Sequence, residues 1–106
     1  MKKSNKWEGT SLQGRVEMPY EAMVRIFGEP HFLGGEGDKT DVEWCFEEAD
    51  MVFTLYNWKD GVCYNGSEGY PIKFLSNWHI GGKTKDVFYL VEQIINSNYD
   101  KVIGGK

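Results

Sequence analysis

The sequence predicts a small α+β domain with a mostly antiparallel sheet of four to five strands and two helices on one face. Two segments repeat apolar residues at helical spacing, and the segments between them alternate apolar and polar residues or are apolar throughout. Short turn signals separate the strands. Because strands joined by short turns pair antiparallel, the order β-α-β-β-β-α gives one sheet that both helices cover.

Length and composition indicate a single folded domain. The chain has 106 residues, of which 41% are hydrophobic and 26% are charged. We expect one domain over 1–106, with 1–9 as a flexible arm. Because the net charge is −4, we do not expect the protein surface to bind nucleic acid directly. No apolar run reaches the roughly 18 residues of a membrane span, and the basic start lacks a signal-peptide core. We therefore expect a cytoplasmic protein that does not bind membranes.

The first quarter of the chain predicts a strand, a helix and a loop. Residues 11–18 alternate apolar and polar positions weakly, with Gly14 as a bulge. Pro19 suits the first position of a helix, and Gly28 and Pro30 suit its end. The helix should bury one face, formed by Tyr20, Met23, Val24 and Phe27. The glycine-rich segment 31–38 is typical of a loop.

Two neighbouring strands are predicted in the middle of the chain. Residues 41–48 alternate cleanly, which places Val42, Trp44 and Phe46 on one face and Glu43, Cys45 and Glu47 on the other. After a turn at 48–50, the apolar segment 51–58 should be a central strand. Residues 59–61 then turn the chain, with Gly61 at positive φ, and residues 62–64 pair back.

The last third predicts a strand and a helix. Residues 72–75, continuing toward Ile80, form the strand, and 81–83 make a turn into the helix. Thr84 should cap this helix, and residues 96–98 should end it. Its buried stripe consists of Val87, Leu90, Val91, Ile94 and Ile95.

The small number of cysteine and histidine residues limits the disulfide, metal-binding and catalytic chemistry expected of this chain. Cys45 and Cys63 are too few for a disulfide scaffold, and free buried thiols are favoured over a bridge between neighbouring strands. With only His31 and His79 besides, neither a metal site nor a cofactor is expected. His79 beside a tryptophan suits a general base, but no nucleophile accompanies it in sequence.

Aromatic and acidic residues indicate a surface for a partner. Trp44 and Phe53 should lie in the core, whereas strand-end and loop aromatics suit a binding surface. Seven acidic residues lie between Glu36 and Asp50, and two of them share a strand face that could meet a basic site on a protein. The alternative is a solvated strand face. The candidate partner surface comprises Glu43, Glu47, Trp58, Tyr64, Tyr70 and Trp78.

A second candidate site binds an anion or a nucleotide. A glycine-rich turn before a helix offers free N–H groups, and two lysines add positive charge. The pattern is not a phosphate-binding P-loop, because Asn77 stands where that motif needs a glycine. The alternative is a tight turn without a ligand. This set comprises His79, Gly81, Gly82, Lys83, Thr84 and Lys85.

Four stretches carry a resemblance to a known group: TSLQG (10–14), FGEP (27–30), KTDVEW (39–44) and WHIGG (78–82). Together they resemble small phage-encoded proteins of undefined role, over nearly the whole chain. The resemblance implies a phage origin and a location in the cytoplasm of an infected host cell. Small acidic phage proteins are commonly anti-CRISPRs, other counter-defence proteins or sponges for immune nucleotides.

These observations favour a non-enzymatic binding protein. The leading expectation is a phage-type counter-defence inhibitor, like an anti-CRISPR, that occludes a basic site on a host defence protein. The alternative is a homo-oligomeric sponge that sequesters a small nucleotide signal at a site between subunits. A third hypothesis, a small hydrolase, would depend on His79.

Overall fold

The fold is one antiparallel sheet, in agreement with the predicted class. The structure, a computed structural model, describes the backbone of residues 1–102 and the side chains of residues 1–100. The strands are β1 (Lys2–Lys3), β2 (Ser11–Glu17), β3 (Phe32–Leu33), β4 (Val42–Glu48), β5 (Met51–Tyr56) and β6 (Asn77–Gly82). Their order is β1-β4-β5-β6-β2, with β3 also paired to β4, and every pair is antiparallel.

Helices cover one face of this sheet, as predicted. The helices are α1 (Tyr20–Phe27), α2 (Val62–Asn65), α3 (Asp86–Ser97) and α4 (Tyr99–Val102), and 3-10 turns occupy Gly66–Glu68 and Ile72–Phe74. Helices α1 and α3 pack their apolar sides on the same face of the sheet. Within residues 1–102 the opposite face carries no helix of comparable length, and we call it the open face.

Two buried tryptophans form the centre of the core. The rings of Trp44 and Trp78 meet edge to face at 5.6 Å, and Tyr20 of α1 lies 6.2 Å from both. Each indole N–H is satisfied, because Trp44 donates to the Gly28 carbonyl and Trp78 to the Met18 carbonyl, both at 2.8 Å. These two bonds fix both ends of α1 to the sheet, since Met18 precedes that helix and Gly28 follows it.

Several local predictions are confirmed. Strand β2 has its irregularity between Leu12 and Gly14. Helix α1 follows Pro19 and ends at Gly28, whose φ is 82°. The alternation of β4 is as predicted, with Val42, Trp44 and Phe46 in the core. The stripe of α3 is also correct, with Val87 and Val91 buried and Leu90, Ile94 and Ile95 packed against the core. Ala22 and Ile26 join the buried face of α1 unpredicted.

Four predicted elements differ in the structure. Residues 62–64 belong to helix α2 rather than to a strand, and Ile72–Phe74 is a 3-10 turn. The segment 31–38 contains β3, and the arm predicted as flexible contains β1. Helix α2 depends on a distant contact, because the Cys63 N–H donates to the buried Asp41 carboxylate at 3.0 Å. Contacts between residues far apart in sequence therefore determine the secondary structure of these segments.

The glycine pair at 81–82 lies inside β6, so the predicted strand-to-helix turn is wrong. Gly81 and Gly82 are buried between β5 and β2. A Cβ at Gly82 would collide with Val87 of α3, so glycine allows this helix to approach the sheet. Thr84 is not a side-chain cap; its position precedes a helix that begins at Asp86 without a side-chain cap.

A buried amide joins the end of β5 to the start of β4. The Asn57 side chain accepts hydrogen bonds from the N–H groups of Asp41 and Val42, and it donates to the carboxylates of Asp41 and Asp60. Gly61 leaves room for this cluster, because a Cβ there would collide with the Asp41 carboxylate. Gly61 does not have the positive φ that the sequence predicted; Lys59 does, at 60°.

Three segments of the chain supply hydrogen-bond partners to the backbone at the outer edge of β4. Strand β3 pairs with its first residues and β1 with its last. Between them, the imidazole of His31 accepts a hydrogen bond from the Cys45 N–H at 3.1 Å, and the Ser4 N–H donates to the Cys45 carbonyl at 2.9 Å. The imidazole must be unprotonated at Nδ1 to accept this bond. Burial, together with Lys3, lowers the pKa of His31.

Substitution of Asn57 by alanine should destabilise the protein by about 2 to 4 kcal/mol, because the buried Asp41 would lose its amide partner. Urea denaturation followed by tryptophan fluorescence measures the free energy of unfolding. Asn77→Ala, at an exposed site on β6, is the control and should change it by less than about 0.5 kcal/mol. Equal effects of the two substitutions would contradict the role of Asn57.

Acid should destabilise the fold as His31 becomes protonated. Because the folded state lowers the pKa of His31 from 6.5, the unfolded state binds more protons as pH falls below that value. We expect the free energy of unfolding to decrease between pH 7.5 and 5.5. His31→Asn, whose side-chain oxygen can accept the same bond, should reduce this slope. It should not abolish the slope, because the pKa of His79 is lowered as well. An unchanged slope in His31→Asn would disprove the assignment.

Candidate functional site

A row of directly opposed side chains crosses the open face. Phe32 pairs with Glu43, Glu43 with Tyr56, Tyr56 with His79, and His79 with Arg15. Side chains of directly opposed residues project from the same face, and on the central strands β4, β5 and β6 the neighbouring positions, such as Trp44, Leu55 and Trp78, lie in the core. The sheet register therefore gathers residues from five strands into one line, which we call the open-face row.

The N-terminal arm adds a further aromatic ring to this face. After β1, the chain crosses the outer edge of β4 and turns at Trp7, whose carbonyl accepts bonds from both the N–H and the hydroxyl of Thr10. The Trp7 ring meets Phe32 edge to face at 5.4 Å. Trp7 is 44% exposed and Phe32 36%. The two rings and Glu43 line a small depression of about 230 Å³.

Trp58 forms the opposite wall of a larger groove. It lies just beyond β5, after Asn57, and the residue is 41% exposed. The ammonium of Lys39 lies 5.6 Å from the centroid of this ring. The groove has a volume of about 390 Å³ and is lined by Phe32, Asp38, Lys39, Thr40, Glu43 and Trp58 among others. We call the groove and the depression beside Trp7 together the Glu43 groove, because Glu43 and Phe32 line both.

Glu43 is a half-buried carboxylate with no neutralising partner. Its side chain makes no hydrogen bond or ion pair with any residue in the part of the chain that the structure describes. Burial raises the pKa of Glu43. Its charge in turn raises the pKa of Tyr56 and of Cys45, although burial is the larger cause for both groups. The floor of the groove therefore carries a negative charge that water screens only partly.

His79 lies between Tyr56 and Arg15 in the open-face row. Its Nε2 accepts a hydrogen bond from the Arg15 Nε at 3.4 Å. The ring lies between Tyr56, at 5.4 Å, and Trp58, which it faces at 6.4 Å and 25°. Burial and then Arg15 lower the pKa of His79. The nitrogen that a general base would use already has a donor in this arrangement, so the ring supports Trp58 and Tyr56.

The acidic residues of the predicted partner surface have different environments. Glu43 lies at the floor of the groove, whereas Glu47 forms an ion pair with Lys6 at 3.7 Å. Glu48 pairs with the N-terminal ammonium at 2.9 Å. The sequence pattern suggested an acidic face, but the pairing of β1 with β4 brings basic residues of the arm beside it. Glu47 and Glu48 are thereby paired within the chain.

The four predicted surface aromatics also separate. Trp78 is fully buried, with 0% exposure, so its assignment to a partner surface is wrong. The reason is that Trp78 pairs with Val16 on the core side of β6. Tyr64 and Tyr70 are exposed, but Tyr64 lines a different groove between α2 and the glycine-rich loop. The structure therefore brings together only Trp58 and Glu43 from the predicted set.

The residues of the second candidate site do not converge. Gly81 and Gly82 lie in the middle of the sheet, so their amides are not presented at a helix start. His79 lies in the open-face row, while Lys85 donates to the Gln13 carbonyl at 2.9 Å and covers Phe88 at 4.7 Å. Lys83 and Thr84 are exposed between β6 and α3. The geometry on which an anion site depended is therefore absent from 81–84.

The sequence did not indicate Trp7, Phe32, Lys39 or Arg15 as members of a site. Trp7 and Phe32 belong to segments whose composition predicted an arm and a loop. The available signal was a large aromatic residue inside each polar segment, which indicates a docked segment or a contact surface. Only the sheet register, however, places these residues beside Glu43.

The remaining chemistry of the described residues is limited. Cys45 and Cys63 are both free; Cys45 is buried on the open face of β4, and Cys63 lies on α2. Among residues 1–100 no three His, Cys, Asp or Glu side chains cluster as metal ligands. None of the helices described has the length and apolar character needed to cross a bilayer.

Glu43→Gln should stabilise the folded protein at pH 7. A carboxyl whose pKa is raised on folding costs stability once pH exceeds its unfolded value, because the unfolded state then holds the charge at lower cost. We expect a gain on the order of 0.5 kcal/mol, measured by urea denaturation. Glu47→Gln, which loses the ion pair with Lys6, should give no gain. A loss of stability in Glu43→Gln would show that the carboxylate has a favourable partner.

The Glu43 groove combines aromatic walls, one unpaired carboxylate and one lysine on an accessible face. Such a surface can bind a ligand or a protein side chain by apolar contact and by charge. Neither a scan against protein-family models nor a search of curated protein sequences finds a match.

Proposed function

We propose that this protein is a non-enzymatic inhibitor of the phage counter-defence type, and that its open face occludes a basic site on a host defence protein. The observation that carries the proposal is the gathering of exposed aromatic rings around the unpaired Glu43. Trp7 and Phe32 contact each other on one side of this carboxylate, and Trp58 forms the other wall of the groove.

Exposed aromatic residues on a rigid sheet support a protein-binding role. Tryptophan is enriched among residues that dominate the binding energy of interfaces, and a rigid ring loses little entropy on binding. Trp58 is held by His79 and Tyr56 beneath it, and its conformation is therefore set before a partner arrives. The groove is shallow and open, which suits an inserted side chain of a larger partner.

The unpaired charge of Glu43 favours a partner that places a cation directly beside it. Glu47 and Glu48 are paired within the chain, so the acid that remains for a partner inside the groove is Glu43. A desolvated carboxylate gains most from a cation that reaches it directly. A partner with a basic site would supply such a cation and cover the aromatic rings at the same time.

Site-specific crosslinking in host cells tests this proposal. A photo-crosslinking phenylalanine derivative replaces Trp58 in one variant and Tyr89, exposed on α3, in the control. Irradiation of cells that contain a defence system should give a protein adduct at position 58 and not at position 89. Mass spectrometry identifies the adduct. The purified partner should then be inhibited by the natural protein, and at least about tenfold more weakly by Trp58→Ala than by Tyr89→Ala.

Two outcomes would overturn the proposal. One is an identified partner whose defence activity the natural protein does not inhibit. The other is a small nucleotide that remains bound to the purified protein in native mass spectrometry and is lost in Trp58→Ala. The second result would favour the alternative function, sequestration of an immune nucleotide, with the open face as its site.

A further inference from the structure

We infer that the Glu43 groove receives an arginine side chain of the partner protein, with the guanidinium against the Glu43 carboxylate and between the aromatic walls. This inference rests on the proposed function, because it names the chemistry by which the open face would engage a basic site. It assigns the central role to Glu43 and gives Glu47 none.

The state of Glu43 in the free protein is the first argument. A half-buried carboxylate usually has an ion pair or several hydrogen-bond donors, since partial loss of water is costly for a charge. Glu43 has neither among the described residues, although Arg15 and Lys39 belong to the same face. Arg15 instead donates to His79, and Lys39 lies against Trp58. The position beside the carboxylate is therefore available to a cation from outside.

The walls of the groove are the second argument. The edge-to-face pair of Trp7 and Phe32 leaves ring surface toward the depression that contains Glu43. A cation over an aromatic face gains free energy, and the gain increases when both groups are shielded from water. The chain's own Lys39 illustrates this preference, because its ammonium lies 5.6 Å from the Trp58 centroid.

The aromatic walls and the carboxylate of the groove favour a guanidinium over an ammonium. A guanidinium is planar and weakly hydrated, so it can stack on a ring while it donates two parallel hydrogen bonds to one carboxylate. An ammonium is a compact and strongly hydrated charge, and it loses more on entering an aromatic depression. The depression beside Trp7 has a volume of about 230 Å³, which is adequate for the end of one arginine side chain.

An anionic ligand fits this groove less well. Asp38 and Glu43 line it together with the single cation Lys39, so a phosphate would approach two carboxylates. Asp38 already accepts a hydrogen bond from the Gly35 N–H at 2.7 Å, which leaves Glu43 as the acid without a donor. The local charge therefore selects a cationic occupant.

A titration with small probes tests the inference on the full-length protein. N-acetyl-arginine amide is added to ¹⁵N-labelled protein, and the indole N–H signals of Trp7 and Trp58 and the amide of Glu43 are followed by NMR. We expect saturable shifts with a dissociation constant on the order of millimolar, since one side chain supplies only part of an interface. N-acetyl-citrulline amide, which has nearly the same shape without the charge, should give no saturable shift.

Matched variants locate the binding site. Glu43→Gln should weaken binding of the arginine probe at least about tenfold. Glu47→Gln, on the same strand face but paired with Lys6, should change it by less than about twofold. Equal loss in both variants would indicate general charge attraction and would overturn the inference.

Two further results separate this inference from the proposed function. If spermidine binds as tightly as the arginine probe and depends equally on Glu43, the groove is a polyamine site and the arginine assignment is wrong. If crosslinking at position 58 identifies an inhibited defence protein but the arginine probe does not bind, the inference fails while the proposed function stands. Saturable binding of the probe without any protein adduct would support the groove and reject the proposed function.

Discussion

The hydrogen bonds of the Asn57 side chain fix the geometry on which the Glu43 groove depends. This amide ties the first residues of β4 to the end of β5 and holds the two carboxylates of Asp41 and Asp60. Hydrogen bonds hold the neighbouring backbone in place as well. The Thr40 hydroxyl donates to the Asn57 carbonyl, and the Lys59 N–H donates to the Lys39 carbonyl. Trp58 and Lys39 flank these contacts, so the groove wall is set by a polar cluster centred on the buried Asn57 and Asp41.

The outer edge of β4 shows a second link between stability and the site. An exposed strand edge invites pairing with other chains, and here β1, His31 and β3 cover it in succession. The same segments carry Trp7 and Phe32 onto the open face. Protection of the edge and construction of the depression beside Glu43 are thus achieved by the same two pieces of chain, and acid that protonates His31 would weaken both.

The sequence correctly predicted the buried faces of those strands and helices whose apolar residues repeat at regular spacing. The alternation in 41–48 predicted both faces of β4, and apolar spacing predicted the stripes of α1 and α3. Trp78 was misplaced because its environment depends on its register with Val16, 62 positions away in the chain (78 − 16). Gly81 and Gly82 suggested a turn because glycine usually marks one. In the structure their missing side chains instead make room for Thr54 and Val87. The site was only partly predictable for the same reason, since five strands must pair before its residues meet.

Recognition by this protein should depend on short-range contact more than on long-range charge. The net charge of −4 is distributed so that Glu47 and Glu48 are paired, Asp41 is buried in hydrogen bonds, and Glu43 is recessed between aromatic rings. Exposed charges mainly accelerate encounter, whereas desolvated charges and aromatic rings mainly slow dissociation. A surface of this kind would associate at an ordinary rate and gain its selectivity after contact. At that stage a partner without a cation at the right position would leave the Glu43 carboxylate buried and unpaired, and that cost would reject it.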